Sequence, residues 1–251
     1  MDNHQTGYQA RTYRQGFRKS DLVAFRVVIK ETDLSIQADL NLESTARELV
    51  IENRGIIESY IRQFPEFATT LSPWRCKAPV PHIIGDMIHA GRVAQVGPMA
   101  AVAGAMAYRV GIELMAHSSQ AIVENGGDLF IHTSEPVTVA VYAGQSPLNL
   151  QIGLRVGGQN IPTSVCTSSG TIGHSLSFGN ADAVVVTSRS CAVADASATA
   201  IGNRIQGRSD IETAIEWGKR IDGIEGILII FEDKMGVWGP LELVRLSRKK
   251  G

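Results

Sequence analysis

Residues 165–183 read VCTSSGTIGHSLSFGNADA, a run almost without charge and dense in glycine, serine and threonine. Such residues let backbone N–H groups and hydroxyls approach an anion that bulky side chains would hold off. They are also the ordinary material of tight turns. No lysine is present, so the loop Gly-x-x-x-x-Gly-Lys-Ser/Thr that cradles nucleoside triphosphates is excluded. Thr167, Ser168, Ser169 and Gly170 are the candidate ligand-binding residues, and His174 the local candidate for proton transfer. Cys166 is a candidate nucleophile if His174 lies beside it, and otherwise a buried free thiol.

Two further stretches carry comparable chemistry. Glu124-Asn125-Gly126-Gly127-Asp128 stands between two apolar, strand-like runs. Asn-Gly-Gly is a hairpin turn first, since both glycines tolerate positive φ. The same bare backbone can approach a planar ring or a phosphate, so Asn125, Gly126, Gly127 and Asp128 join the candidate binding set. In ADASATA, Asp195 and Thr199 are four residues apart and share one helix face. A carboxylate and a hydroxyl are the hard oxygen ligands magnesium takes when substrate phosphates complete its shell. The structural alternative places Asp195 at the positive end of its own helix. The histidines His82, His89, His117, His132 and His174 show no zinc-ligand spacing, which argues against a catalytic zinc.

The elements that must position these groups follow from periodicity. DLVAFRVVIKETDLSIQADL predicts an antiparallel hairpin around residues 30–33, and LESTARELVIENRGIIESYIRQF an amphipathic helix that stops at Pro65. Residues 65–81 are proline-rich and read as a loop. Two helices follow, IIGDMIHAGRV and VGPMAAVAGAMAYRVGIELM, with Pro98 suited to a first helical turn. The second is rich in alanine and glycine, which suits a buried helix approached closely by other backbone and also makes a homodimer reasonable. Short β-type runs from QAIVEN to VCTSS predict an antiparallel meander. A helix begins near Ala192, another follows Ser209 and Glu212 in a capping-box pattern, and the chain closes with GILIIFED and LELVRL as strands. Strands and helices in blocks predict an α+β fold, helices on a mostly antiparallel sheet, in one domain.

Composition narrows the function classes. The chain has 251 residues, 44% hydrophobic and 20% charged, with a formal net charge of -1, so there is no basic footprint for nucleic acid. No apolar run reaches the length of about 20 residues that a membrane helix needs, and the polar start lacks an apolar signal core. A cytoplasmic protein without membrane partners is expected. Three cysteines, Cys76, Cys166 and Cys191, without Cys-x-x-Cys spacing, predict free thiols.

Taken in order, the helix with Gly97 to Gly104, the Asn125 to Asp128 turn, the Ser168 to Gly170 loop and the Asp195/Thr199 helix resemble the ApbE flavin transferases, which move FMN from FAD onto a protein threonine. In that family an Asn-x-Gly-Gly turn, a Thr-Ser-Gly loop and an Ala-Asp-Ala-Leu-Ser-Thr-Ala helix recur, the Asp and Thr binding magnesium at the FAD diphosphate. KETDL, VGPMAAVAGA, VENGGD, CTSSGTIGHSLSFGNADAVVV and ADASATAIGN look like one branch of ApbE-like proteins, a likeness running from about Tyr8 onward. The resemblance implies an ApbE-like fold over 1–251 and a site for FAD, FMN or another diphosphate-containing nucleotide. It also implies Mg2+ at Asp195 and Thr199 and an acceptor protein as partner. The chain departs from the transferases at two places. Val102-Ala103-Gly104-Ala105 stands where they carry Lys-Gly-Tyr-Ala-x-Asp, and His174 is followed by Ser175 to Gly179 instead of an Asp-Pro-x-Thr-Gly run. Two other readings stay open: a Cys166-dependent enzyme or accessory protein in sulfur amino-acid metabolism, with which that branch is associated, and a non-enzymatic subunit or ligand-binding module.

Overall fold

The computed structural model describes residues 19, 21–168 and 178–246. Strands β1 (Val23–Ile29) and β2 (Thr32–Ala38) form the expected hairpin, with Lys30 at positive φ in the turn. Helix α1 (Glu43–Gln63) buries Ala46, Val50, Ile57 and Tyr60 along one stripe. Proline at 65 removes the next backbone donor, and the chain tightens into a 3-10 turn at Pro65–Ala68. Below it Tyr60, Phe67 and Trp74 pack edge to face, with ring centroids 4.8 and 5.6 Å apart. Helix α2 (His82–Ala94) ends on left-handed Gln95. Pro98 starts a 3-10 turn, Pro98–Ala101, that runs into α3 (Val102–Leu114), so it opens this preliminary turn and not α3 itself.

The remaining elements are β3 (Ala121–Asn125), β4 (Asp128–His132), β5 (Pro136–Ala140), β6 (Ile152–Gly157), β7 (Thr163–Ser168), β8 (Ala183–Ser188), α4 (Cys191–Gly202), α5 (Asp210–Gly218), β9 (Ile224–Phe231), β10 (Lys234–Trp238) and β11 (Glu242–Arg245). They are not a simple meander. After β4 the chain leaves the main sheet, makes β5 and β6, and returns as β7 directly beside β4. The result is an antiparallel eight-stranded sheet, β1-β2-β3-β4-β7-β8-β9-β10, and a separate three-stranded sheet, β11-β6-β5. β10, KMGVW, was not foreseen: two of its five residues are a lysine and a glycine, which blur the alternation that marks a strand.

One face of the large sheet carries the helices, over Val27, Ile36, Val123, Phe130 and Val186. The opposite face packs Ile122, Leu129, Ile131, Val165 and Leu228 against Val137, Val139 and Leu154 of the small sheet. Strands in the middle are therefore covered on both sides, which is why AVVVTS of β8 is buried at every position. Chain segments 191–202 and 102–114 form the two helices nearest the centre, and α3 is enclosed by α1, α4 and the sheet. Its small residues Gly104, Ala105, Ala107 and Gly111 are buried within the chain. The capping box is also absent: Ser209 makes no side-chain cap, and Asp210 instead accepts N–H bonds from Gln206 and Gly207 at 2.8 and 2.9 Å. No described helix is long and apolar enough to cross a membrane.

Candidate functional site

The site is built where the N-terminus of α3 meets the first two turns of α4. Helix α3 begins at Ala101 without a side-chain cap, leaving backbone N–H groups without intrahelical acceptors. Asp195 supplies the missing acceptor from another helix. Its Oδ2 accepts the Gly104 N–H at 2.8 Å, and the Ala103 N–H also bonds to the carboxylate. The carboxylate thus sits at a positive helix end, though that of α3 and not of its own helix. Gly104 is obligatory here: a Cβ would lie 2.4 Å from the Cys191 carbonyl oxygen and 2.8 Å from Asp195 Cβ. Helix α4 caps itself separately, Ser190 Oγ accepting the Val193 N–H at 3.3 Å.

Helical spacing then lines up Cys191, Asp195 and Thr199, one turn apart each, on a single stripe of α4. Thr199 is buried beside Asp195 along that stripe. The β3–β4 turn comes to the same place from the sheet. Gly126 and Gly127 hold φ of 68° and 110°, the left-handed backbone glycine permits, as the Asn-Gly-Gly spacing foretold. Asn125 Nδ2 donates to the Ala103 carbonyl at 3.1 Å, and Glu124 Oε1 accepts the Gly127 N–H at 2.9 Å. Pairing of β4 with β7 sets this turn beside Thr167 and Ser168, both half-buried, with the Thr167 carbonyl 3.8 Å from where a Gly127 Cβ would stand. Four segments distant in sequence, 102–104, 124–128, 166–168 and 191–199, therefore converge. Ser169, Gly170 and His174 lie outside the described residues.

The electrostatics of this convergence are those of carboxyls removed from water. Burial raises Asp195 to about 7, opposed by the two backbone N–H bonds from Gly104 and Ala103. Burial also pushes Asp128 well above the usual carboxylate range, and the neighbouring charge of Asp195 pushes the same way. Among the described residues no lysine or arginine side chain pairs with Asp195. Cys166 is fully buried, and burial holds its thiol well above the ordinary range, so a ready thiolate is disfavoured. Its neighbour is Cys191: the two Sγ atoms are 3.5 Å apart, and Cys166 Sγ is 3.4 Å from the Cys191 carbonyl.

Cys191 and the N–H groups of Ala103 and Gly104 were not among the residues expected to matter. The stripe Cys191-Asp195-Thr199 is readable from four-residue spacing, whereas the contact with α3 is not. As to a cation, Asp195 and Thr199 offer the right oxygen chemistry. The described residues contain no group of three or more His, Cys, Asp or Glu that could hold a metal ion, so any shell at this pair would need a ligand's own oxygens. His82, His89 and His117 are exposed. A cleft of about 370 Å³ between the end of α1 and residues 76–81 is lined by none of the candidate residues.

A family model described as "AbpE bacteria" matches residues 14–237. The chain belongs to this ApbE-like family. A UPF0280 protein of Methanocaldococcus jannaschii is 40% identical over 231 residues, covering 89% of this chain and 94% of the relative. A UPF0280 protein of Methanocella arvoryzae is 40% identical over 215 residues, covering 85% of this chain and 87% of the relative. Among solved structures, the apo flavinyl transferase ApbE of Pseudomonas stutzeri matches with a TM-score of 0.56 at 12% identity, covering 86% of this chain and 93% of that one. The flavin transferase ApbE of Vibrio cholerae gives 0.57 at 12% identity, covering 86% and 96%. At that identity the likeness establishes the ApbE fold, α+β as the block order of strands and helices predicts.

Proposed function

We propose that this protein binds FAD, or another diphosphate-containing nucleotide, together with Mg2+ at the seat between α3 and α4. The observation that carries the reading is Asp195: a buried carboxylate with no described cationic side chain beside it, one turn from a buried hydroxyl, facing a glycine turn. Burial without a partner makes its charged form costly, and a divalent cation held there would offset that cost. Asp195 and Thr199 would hold the ion. When bound, magnesium supplies neutralisation of charge on a phosphoryl oxygen. Asn125 fixes the β3–β4 turn to α3, and Gly126, Gly127, Asp128, Thr167 and Ser168 line the approach, with Ser169 and Gly170 continuing β7 in sequence. In a transfer of the ApbE kind, with FMN passing from FAD to an acceptor protein, His174 is the residue we assign to proton movement. A role for Cys166 as attacking thiolate is the weaker reading, because its burial favours the protonated thiol.

The test is titration of the purified protein with FAD, with and without Mg2+, followed by flavin fluorescence and repeated on Asp195→Asn. The amide keeps an oxygen acceptor for the Gly104 N–H and removes the charge, so the fold is retained. Magnesium-dependent binding in the parent that is lost in the variant is expected. FAD binding that is equal in the two proteins would remove Asp195 from the site. No binding under any condition would favour a ligand-sensing or structural subunit that keeps the fold alone.

A further inference from the structure

We propose that Cys166 and Cys191 form a dithiol–disulfide couple that fastens the first turn of α4 to β7 and so makes the seat of Asp195 sensitive to oxidants. The pair stands independently of the nucleotide reading. Cys166 is in β7 and Cys191 is the first residue of α4, 25 positions on, yet their sulfurs are 3.5 Å apart in the helix-side core. Both side chains are fully buried, whereas the third thiol, Cys76, is exposed at the prolyl loop. A disulfide has sulfurs about 2.05 Å apart, so closing the bond needs an approach of roughly 1.5 Å, within reach of side-chain rotation and a small shift of the helix end.

The direction of that shift is constrained. On the α3 side the Cys191 carbonyl already occupies the space a Gly104 side chain would need, so the first turn of α4 has no room to move toward α3. Bond formation draws it toward β7. Cys191 is one turn before Asp195 on the same stripe, and Asp195 holds the Gly104 N–H, so the pull is transmitted to the α3 cap.

With hydrogen peroxide as oxidant the chemistry balances in two steps. Cys166 sulfur attacks one peroxide oxygen as its thiol proton passes to the departing oxygen, so the O–O bond breaks, a sulfenic acid forms and water leaves. Cys191 sulfur then attacks the sulfenic sulfur, the S–O bond breaks and a second water leaves. Two thiols lose two electrons and two hydrogens, and the peroxide is reduced to two waters.

The experiment uses the full chain with Cys76→Ser, which removes the exposed thiol. After treatment of the folded protein with hydrogen peroxide, the intact mass should fall by two hydrogens. A peptide map without reductant should show residues 166 and 191 joined, and dithiothreitol should reverse both. Adding Cys191→Ser should abolish the cross-link and leave the circular dichroism spectrum unchanged. Hydrogen exchange at the Gly104 amide should differ between oxidised and reduced protein. Two thiols that remain free to alkylation after denaturation, or that gain oxygen without joining, would overturn the couple. Unchanged exchange at Gly104 in fully cross-linked protein would overturn its link to Asp195.

Discussion

Two carboxylates in this molecule do the same structural job in opposite surroundings. Asp39, exposed just past the end of β2, accepts bonds from Ser119 N, Ser119 Oγ, Ser118 Oγ and Gln120 N at 2.6, 2.7, 3.1 and 3.2 Å. Asp195 accepts the Gly104 N–H at 2.8 Å, and the Ala103 N–H as well, in the centre of the helical layer. In both cases backbone donors are gathered onto one carboxylate. The outcome differs in sign: the Ser119 hydroxyl and its neighbours hold Asp39 below its ordinary value, whereas burial raises Asp195 to about 7. Hydrogen bonds thus decide at the surface and desolvation decides inside. Asp39 is a finished anchor, while Asp195 is buried with no cationic side chain beside it among the described residues.

The sharpest break of this comparison is through pH. A carboxyl with a raised folded value holds its proton after the unfolded chain has lost it, so stability is greatest below about 4 and falls as pH rises to about 7. For Asp195 in chelator-treated protein this decline is on the order of 4 kcal/mol, and urea melts at stepped pH would measure it. Asp195→Asn should flatten the decline, and an unchanged slope would show that Asp195 is not the group responsible. Next in size is Gly104→Val, which drives a side chain into the backbone of α4 and should cost about 3 kcal/mol by denaturant midpoint. A stable Gly104→Val protein would mean that α3 and α4 do not meet as closely as described.

Asp39 should show the reverse dependence and a smaller one. Its lowered value adds stability above about 4 that is lost as pH falls, and exposure limits Asp39→Asn to about 1 kcal/mol at neutral pH. A loss as large as that for a buried group would erase the contrast between the two sites. The smallest effect is expected at Ser209→Ala. Because Ser209 makes no cap, its removal should stay within about 0.5 kcal/mol in thermal melts, whereas a functioning capping box would lose about 1 kcal/mol.

What the sequence by itself determined is the local part. The hairpin at 21–40, the helix stopping at Pro65, the glycine turn at 126–127 and the Asp195/Thr199 stripe follow from periodicity, proline and glycine, which act over a few residues. The motif order identified the family for the same reason, since each motif is a short local pattern. Three things needed the tertiary structure. The return of β7 beside β4 is a choice among sheet edges made by which apolar face is covered by the small sheet, so no window of sequence contains it. The capping of α3 by Asp195 joins positions 91 residues apart, and the local rule pointed to the wrong helix end. The meeting of Cys166 with Cys191 follows from α4 lying over β7, which turned two thiols read as unconnected into neighbours. Side-chain chemistry was legible residue by residue, but only packing decided which groups lost their water and which found one another.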